Sequence, residues 1–123
     1  MITLICGMPR AGKTTLSSKY KCKVFHRDYI QPSQIVRSLN DFEDFVVEGV
    51  FANAYERKKI INGYNGNYKK CIYLNIPLEI RKHRECWTKY CEYFNFQEPT
   101  LEEGWDEIVI ITPEKEEHIY KDT

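Results

Sequence analysis

Short apolar runs recur five times along the chain, and a longer, more polar stretch follows each of them. The runs cover residues 2–6, 23–25, 45–47, 71–74 and 108–111. Short runs of mainly apolar residues without regular polar alternation are typical of strands buried on both faces of a sheet. The pattern therefore predicts five buried strands.

Helix signals fill the intervals between these runs. Residues 13–20, 33–40 and 53–62 are predicted to form helices, and a longer helix is predicted from Pro77 to about residue 94. The apolar residues of this last helix fall near helical spacing and predict a packed stripe, formed by Ile80, Trp87, Cys91 and Phe94.

Strands thus alternate with helices along the chain, which is the pattern of an α/β domain. We predict a parallel sheet of about five strands sandwiched by helices, with right-handed crossovers, as a single domain over residues 1–123. Ligands of such sheets bind at the carboxyl ends of the strands. The charged segment after Pro113 is predicted to be a tail outside the sheet.

The composition excludes some functions. Lys plus Arg equals Asp plus Glu at 18 each, so the formal net charge is zero. A protein that coats long nucleic acid usually carries a basic excess, so extensive contact with a nucleic-acid backbone is not expected. The hydrophobic content of 42% suits one modest core rather than a disordered segment.

The cysteines bear on the compartment. There are five, and Cys6 and Cys71 lie inside apolar runs, which predicts buried free thiols in a reducing environment. Cys86 and Cys91 lack the His or Cys neighbours that would complete a metal site. No stretch has the length or composition of a signal sequence or a membrane span, so a cytoplasmic location without membrane partners is expected.

The strongest motif follows the first predicted strand. Residues 7–14 match G-x-x-x-x-G-K-[ST], in which glycines let the backbone amides approach phosphate oxygens closely. Lys13 is expected to reach the β- and γ-phosphates of ATP, and the Thr14 hydroxyl to ligate Mg²⁺. The motif predicts a P-loop NTPase fold whose nucleotide-binding residues are Gly7, Met8, Pro9, Arg10, Ala11, Gly12, Lys13, Thr14 and Thr15.

Two acidic residues follow predicted strands and should therefore reach the same edge of the sheet. Asp28 is predicted to accept or orient the proton of an attacking hydroxyl, the alternatives being a helix cap or a pair with Arg27. Glu48 is predicted to be the metal-binding acid, because a buried carboxylate needs a partner such as Mg²⁺. The alternative for Glu48 is a salt bridge with Arg57 or another base.

Basic residues open the long predicted helix, where the helix dipole disfavours them. Arg81 and Arg84 are three apart and share a helix face, which predicts a lid that clamps the transferring phosphate, with Arg84 slightly favoured. The alternative is a solvated basic face. The cluster at residues 57–59 is predicted to be solvated surface.

These residues resemble the kinase domain of polynucleotide 5′-kinases and their AAA-type and broader P-loop kinase relatives. The similarity covers most of the chain and includes the phosphate loop, the His-Arg-Asp triplet ending at Asp28, and Arg57 in the helix after the third strand. Residues 96–105 are similar to the family's Phe-x-x-Pro-Thr-x-x-Glu-Gly-Phe segment. The resemblance implies that Asp28 is the general base of an ATP-dependent kinase.

Other positions differ from those relatives. Glu48-Gly49 stands where the polynucleotide kinases show Asp-x-Thr-Asn, and an acid followed by glycine is common in small-molecule kinases. No arginine follows closely behind Asp28 to hold a substrate phosphate, and the segment from there to Glu48 is short. The expected function is ATP- and Mg²⁺-dependent phosphorylation of a hydroxyl, with a polynucleotide 5′-OH as one acceptor. A small-molecule, nucleoside or toxin-like sugar-nucleotide kinase and an inactive nucleotide-binding module are the alternatives.

Overall fold

A single six-stranded sheet organises the protein. The computed structural model describes residues 1–27, 32–84 and 95–122. The strands are β1 (Ile2–Gly7), β2 (Lys23–His26), β3 (Phe45–Glu48), β4 (Lys69–Leu74), β5 (Glu107–Ile111) and β6 (Glu116–Tyr120), in the spatial order β2-β3-β1-β4-β5-β6. Neighbours among β1 to β5 run parallel, which confirms an α/β sheet with the five predicted strands.

The sixth strand corrects the sequence prediction. The segment after Pro113 is not a tail outside the sheet, because β6 pairs antiparallel with β5. Glu107 of β5 accepts from the Tyr68 hydroxyl at 2.9 Å and lies 3.2 Å from His118 Nδ1 of β6. Four of the five residues of β6 are exposed, so this edge strand shows no alternation of apolar residues that would reveal it in the sequence.

Helices cover the two faces of the sheet. They are α1 (Lys13–Ser17), α2 (Pro32–Ser38), α3 (Ala54–Gly63) and α4 (Leu78–Arg81), with short 3₁₀ turns at Leu39–Asp41 and Leu101–Glu103. Leu4 of β1 packs in one apolar cluster with residues of α2 and α3, whereas Ile5 packs in a second cluster with Leu16 of α1. Alternate β1 side chains therefore serve both layers of the core.

Two helices are shorter than predicted. α1 ends at Ser17 rather than residue 20, and α4 covers four residues before turns at 82–84. Ile80 is 38% exposed, so it does not pack as the predicted stripe requires. The other stripe residues lie outside the described part of the chain.

The buried cysteines match the expectation in part. Cys6 and Cys71 are free and fully buried, with their sulfurs 3.8 Å apart, and burial raises the pKa of the Cys71 thiol. Cys86 and Cys91 lie outside the described residues. Over residues 1–27, 32–84 and 95–122, no helix is long and apolar enough to cross a membrane.

Arg57 is the clearest correction within the core. The sequence predicted solvated surface, but Arg57 is fully buried. Its Nε and one terminal nitrogen donate to the two carboxylate oxygens of Glu103 at 2.8 and 2.9 Å, and the other terminal nitrogen donates to the Phe51 carbonyl at 2.7 Å. Trp105 Nε1 donates to Glu103 as well, at 3.1 Å. A planar fork suits this two-oxygen partner, so the buried charge is paired with a carboxylate and hydrogen-bonded.

The pair makes stability depend on pH. Burial alone would raise the pKa of Glu103, but the bonds from Arg57 and Trp105 outweigh burial and lower that pKa. A carboxyl group whose folded pKa is lowered stabilises the fold above its unfolded pKa of about 4.3, and this stabilisation is lost as the pH falls through the folded pKa.

We predict that Glu103→Gln lowers the free energy of unfolding by about 3–5 kcal/mol at pH 7, because it leaves the Arg57 charge buried without its counter-ion. Urea unfolding followed by circular dichroism from pH 7 to pH 3 measures this. The difference from wild type should shrink below about pH 4.3, where the carboxyl group of the unfolded chain begins to protonate, and should vanish as the pH falls through the lower pKa of the folded state. Glu102→Gln, at the exposed neighbouring position, is the matched control. Equal effects of the two substitutions would contradict the role of the pair.

Candidate functional site

The carboxyl ends of three adjacent strands bring the predicted site residues together. Ile5 of β1 pairs with Glu48 of β3, and Glu48 pairs with His26 of β2. β1 continues to Gly7, where the phosphate-loop motif begins. Because these strands are parallel, their carboxyl ends lie at one edge of the sheet, where α/β folds bind ligands.

Left-handed backbone conformations shape the loop at residues 7–14. Gly12 has φ +104°, and Arg10 adopts φ +66° although it is not glycine. A Cβ on Gly7 would lie 2.8 Å from the Leu74 carbonyl oxygen of β4, so only glycine allows this approach of the two strands. A non-glycine residue held in the left-handed region indicates local strain, and such strain is often found at binding sites.

Lys13 lies at the start of α1, and its side chain turns back over the loop. Its ammonium group donates to the carbonyl oxygens of Gly7 at 3.1 Å and Met8 at 3.0 Å. The residue is 8% exposed. A buried ammonium group held by carbonyl oxygens of the loop lies where an anion cradled by that loop would approach it.

Glu48 is buried at the end of β3, as the sequence predicted, with 3% of its surface exposed. Its Oε1 lies 2.7 Å from His26 Nδ1 and 3.5 Å from the Thr14 hydroxyl. Arg57, the alternative partner that the sequence suggested, instead pairs with Glu103. No separate role for His26 was predicted from the sequence. The sequence does carry a signal for this contact. His26 is the fourth residue of β2 and Glu48 is the fourth residue of β3, and the two strands pair from their first residues, so His26 and Glu48 lie opposite each other.

Gly49 follows β3 directly and is packed closely against Arg27, the residue after β2, and against Phe51. A Cβ at this position would lie 2.5 Å from Arg27 Cβ and 3.0 Å from a ring carbon of Phe51. The Gly49 amide also donates to the Ile5 carbonyl at 3.0 Å, and the Arg27 amide donates to the Glu48 carbonyl at 2.9 Å. Glycine at position 49 is therefore a packing requirement where β2 and β3 end.

The two predicted lid arginines both contact the phosphate loop, but differently. Arg81 is 6% exposed and donates to the Ile76 carbonyl at 2.9 Å and the Pro9 carbonyl at 3.1 Å. Arg84 is exposed, and it donates to the Arg10 carbonyl at 2.6 Å. A Cβ on Gly12 would lie 3.3 Å from the same nitrogen of Arg84. Arg81 therefore supports the loop from α4, while Arg84 lies across it with its charge open to solvent.

Magnesium needs oxygen ligands and usually keeps several of its waters. The Thr14 hydroxyl and the Glu48 carboxylate meet at the loop and supply two such oxygens, so the residues fit an ion that also takes oxygens from a bound phosphate. Among the described residues, no group of three or more His, Cys, Asp or Glu forms a metal site by itself. A metal here would thus depend on its ligand's phosphates.

Asp28, the predicted base, lies outside the described residues, so its placement rests on the sequence. It follows His26 by two positions, and His26 is the last residue of β2. Of the other predicted residues, the structure brings Lys13, Thr14 and Glu48 to one edge of the sheet with both arginines.

Comparison with protein-family models gives no match for this chain, and comparison with curated proteins gives none either. A function for this chain must therefore be inferred from the site residues themselves and from their arrangement at this edge of the sheet.

We predict that Gly49→Ala lowers the free energy of unfolding by about 1–3 kcal/mol, since the added methyl group must displace Arg27 or Phe51 in a packed region. Thermal and urea unfolding measure the change. Arg27→Gly removes the obstructing Cβ, so the loss caused by Gly49→Ala should be smaller in that background. Arg27→Ala is the matched control, because it keeps the Cβ and should give little relief. Equal relief from both would show that the Arg27 Cβ is not the obstacle.

Proposed function

We propose that this protein is an ATP- and Mg²⁺-dependent kinase that transfers the γ-phosphate to a hydroxyl group. The observation that carries the proposal is the meeting of Lys13, Thr14 and Glu48 at one sheet edge, around a loop that matches the phosphate-binding motif. A loop cation, a hydroxyl and a buried acid are the parts that phosphoryl transfer requires around a nucleotide.

Each residue would then have a defined task. Lys13 and the amides of residues 7–14 would hold the phosphates, and Thr14 with Glu48 would hold the metal ion. Magnesium, when bound, would neutralise charge on the phosphates. Asp28 would accept or orient the proton of the acceptor hydroxyl. Arg84 would exchange its bond to the Arg10 carbonyl for one to the transferring phosphate, and such charge stabilisation is a major part of this catalysis.

Two classes of acceptor fit this mechanism. The likeness of residues 96–105 and of the triplet ending at Asp28 to polynucleotide 5′-kinases supports a nucleic-acid 5′-OH. The zero net charge and the Glu48-Gly49 pair support a small molecule, a nucleoside or the sugar nucleotide of a toxin-like kinase. The buried position of Glu48 is compatible with both classes of acceptor and does not distinguish them. The acceptor must therefore be identified by experiment. Free thiols at Cys6 and Cys71 support a cytoplasmic, reducing site of action.

A catalytically inactive nucleotide-binding module is the second candidate function, and the short segment between Asp28 and Glu48 favours it. Such a module would bind the nucleotide tightly and transfer no phosphate, and Asp28→Asn would leave its behaviour unchanged.

We predict that Lys13→Ala removes nearly all turnover while the protein remains folded, because the substitution deletes the cation of the phosphate loop. Phosphate transfer from labelled ATP measures turnover, and circular dichroism confirms the fold. Lys19→Ala, at an exposed position just after α1, is the control and should retain activity. A folded, active Lys13→Ala protein would overturn the mechanism.

The acceptor is identified by γ-phosphate transfer with Mg²⁺ to 5′-OH DNA and RNA oligonucleotides and to a nucleoside and sugar panel. We expect label on a hydroxyl acceptor with wild type and a loss of about 100-fold or more with Asp28→Asn, which removes a general base. Label on an oligonucleotide end indicates a polynucleotide 5′-kinase. Label on a small molecule alone indicates a small-molecule kinase that uses the same mechanism. ATP binding without any transfer would favour the inactive module.

The two lid arginines should separate in their effects. Arg84→Ala is expected to lower kcat by about 100-fold or more with little change in unfolding temperature, because Arg84 is exposed and would act on the transferring phosphate. Arg81→Ala should instead lower the free energy of unfolding by about 1–3 kcal/mol, since it leaves the partly buried carbonyl oxygens of Ile76 and Pro9 without this donor. Steady-state kinetics and thermal unfolding of both variants test this, and the reverse pattern would exchange the two roles.

A further inference from the structure

One hydrogen bond at the sheet edge has no place in the mechanism above. His26 Nδ1 lies 2.7 Å from Glu48 Oε1. His26 is the last residue of β2, and strand register sets it directly opposite Glu48 of β3. Because an ionised carboxylate can only accept, His26 Nδ1 donates in this bond. The contact is thus determined by the pairing of two strands of the sheet.

The contacts of the carboxylate are unequal. The Thr14 hydroxyl lies 3.5 Å from the same Oε1, at the outer limit of a hydrogen bond, whereas the His26 contact is short. A carboxylate can rotate about its side-chain bonds unless a donor holds it. Of these two contacts, only the bond from His26 is short enough to fix the direction in which Glu48 presents its oxygens.

We propose that His26 is a positioning residue, whose Nδ1–H holds the Glu48 carboxylate in the orientation needed to bind a Mg²⁺–nucleotide complex beside Thr14. This inference rests on the proposed function, because it requires that Glu48 serve the metal ion of a bound nucleotide. Donors that hold a metal-ligating carboxylate affect metal affinity although they do not touch the metal, typically by about 10- to 100-fold.

Exposure distinguishes this role from core packing. The His26 side chain is 31% exposed and the Glu48 side chain is 4% exposed. His26 is therefore the more exposed partner of a buried acid at the sheet edge. A partly exposed residue at a strand end contributes less to the core than Phe25, which precedes it and is 4% exposed.

The test measures binding rather than turnover. The Kd of ATP is determined by calorimetry over a range of Mg²⁺ concentrations and again in excess EDTA, for wild type, His26→Ala and His26→Asn. We expect His26→Ala to raise the Mg²⁺ concentration required for half-maximal tightening of ATP binding by about 10-fold. The metal-free Kd should stay unchanged. His26→Asn should restore most of the loss, because its amide nitrogen can donate from near the position of Nδ1.

A matched control exists on the far edge strand. His118 also bonds to carboxylates, with Nδ1 3.2 Å from Glu107 and Nε2 2.7 Å from Glu116, but it belongs to β6. His118→Ala removes two bonds of the same chemical kind away from the phosphate loop, so the Mg²⁺ requirement should not change.

A double-mutant cycle separates positioning from general destabilisation. In a Glu48→Ala background there is no carboxylate to orient, so adding His26→Ala should change the Mg²⁺ requirement no further. Additive effects of the two substitutions, an unchanged requirement in His26→Ala, or a failure of His26→Asn to restore binding would each overturn the role of His26. Wild-type protein that binds no ATP with or without Mg²⁺ would instead overturn the proposed function, and this inference with it.

Discussion

The ion pair between Arg57 and Glu103 is the interaction on which the course of the chain after the central strand β3 depends. Arg57 is fully buried, and its three guanidinium nitrogens donate to the Glu103 carboxylate and to the Phe51 carbonyl. A buried charge is tolerated only when it is paired and hydrogen-bonded, so neither partner can be lost alone. Burial opposes the charge on Arg57, yet Glu103 outweighs it and raises the pKa of the guanidinium group. The pair therefore stays ionised and fastens α3 to the segment before β5.

This fastening reaches the phosphate loop through the backbone. Phe51 is buried at φ +43°, a conformation that bulky residues rarely adopt, and its carbonyl accepts from Arg57. The preceding carbonyl, that of Val50, accepts from the Gly7 amide at 3.4 Å. The turn after β3 is thus tied to the ion pair on one side and to the start of the loop on the other. Strain at Phe51 persists because the surrounding bonds determine its position.

The proposed site combines a rigid part with a more exposed part. Glu48 and His26 lie on paired strands, which hold their positions more firmly than loops would. Arg84, by contrast, is exposed and donates to the Arg10 carbonyl of the loop, which a phosphate could replace as the acceptor. Such a division suits phosphoryl transfer, in which the metal and nucleotide must be placed firmly while the clamp closes after binding.

The sequence by itself determined the five parallel strands, the phosphate-loop motif and the burial of Glu48, because each depends on a local pattern: an apolar run, a fixed glycine spacing, or an acid at the end of a strand. Tertiary structure alone decided the partners. Whether Arg57 faces solvent or Glu103, and whether Glu48 meets Arg57 or His26, depends on which strands are neighbours and in what register. The edge strand β6 also needed the fold, since it joins through backbone pairing and its exposed side chains show no apolar alternation. Contacts between residues distant in sequence are set by chain topology, so a local sequence pattern does not predict them.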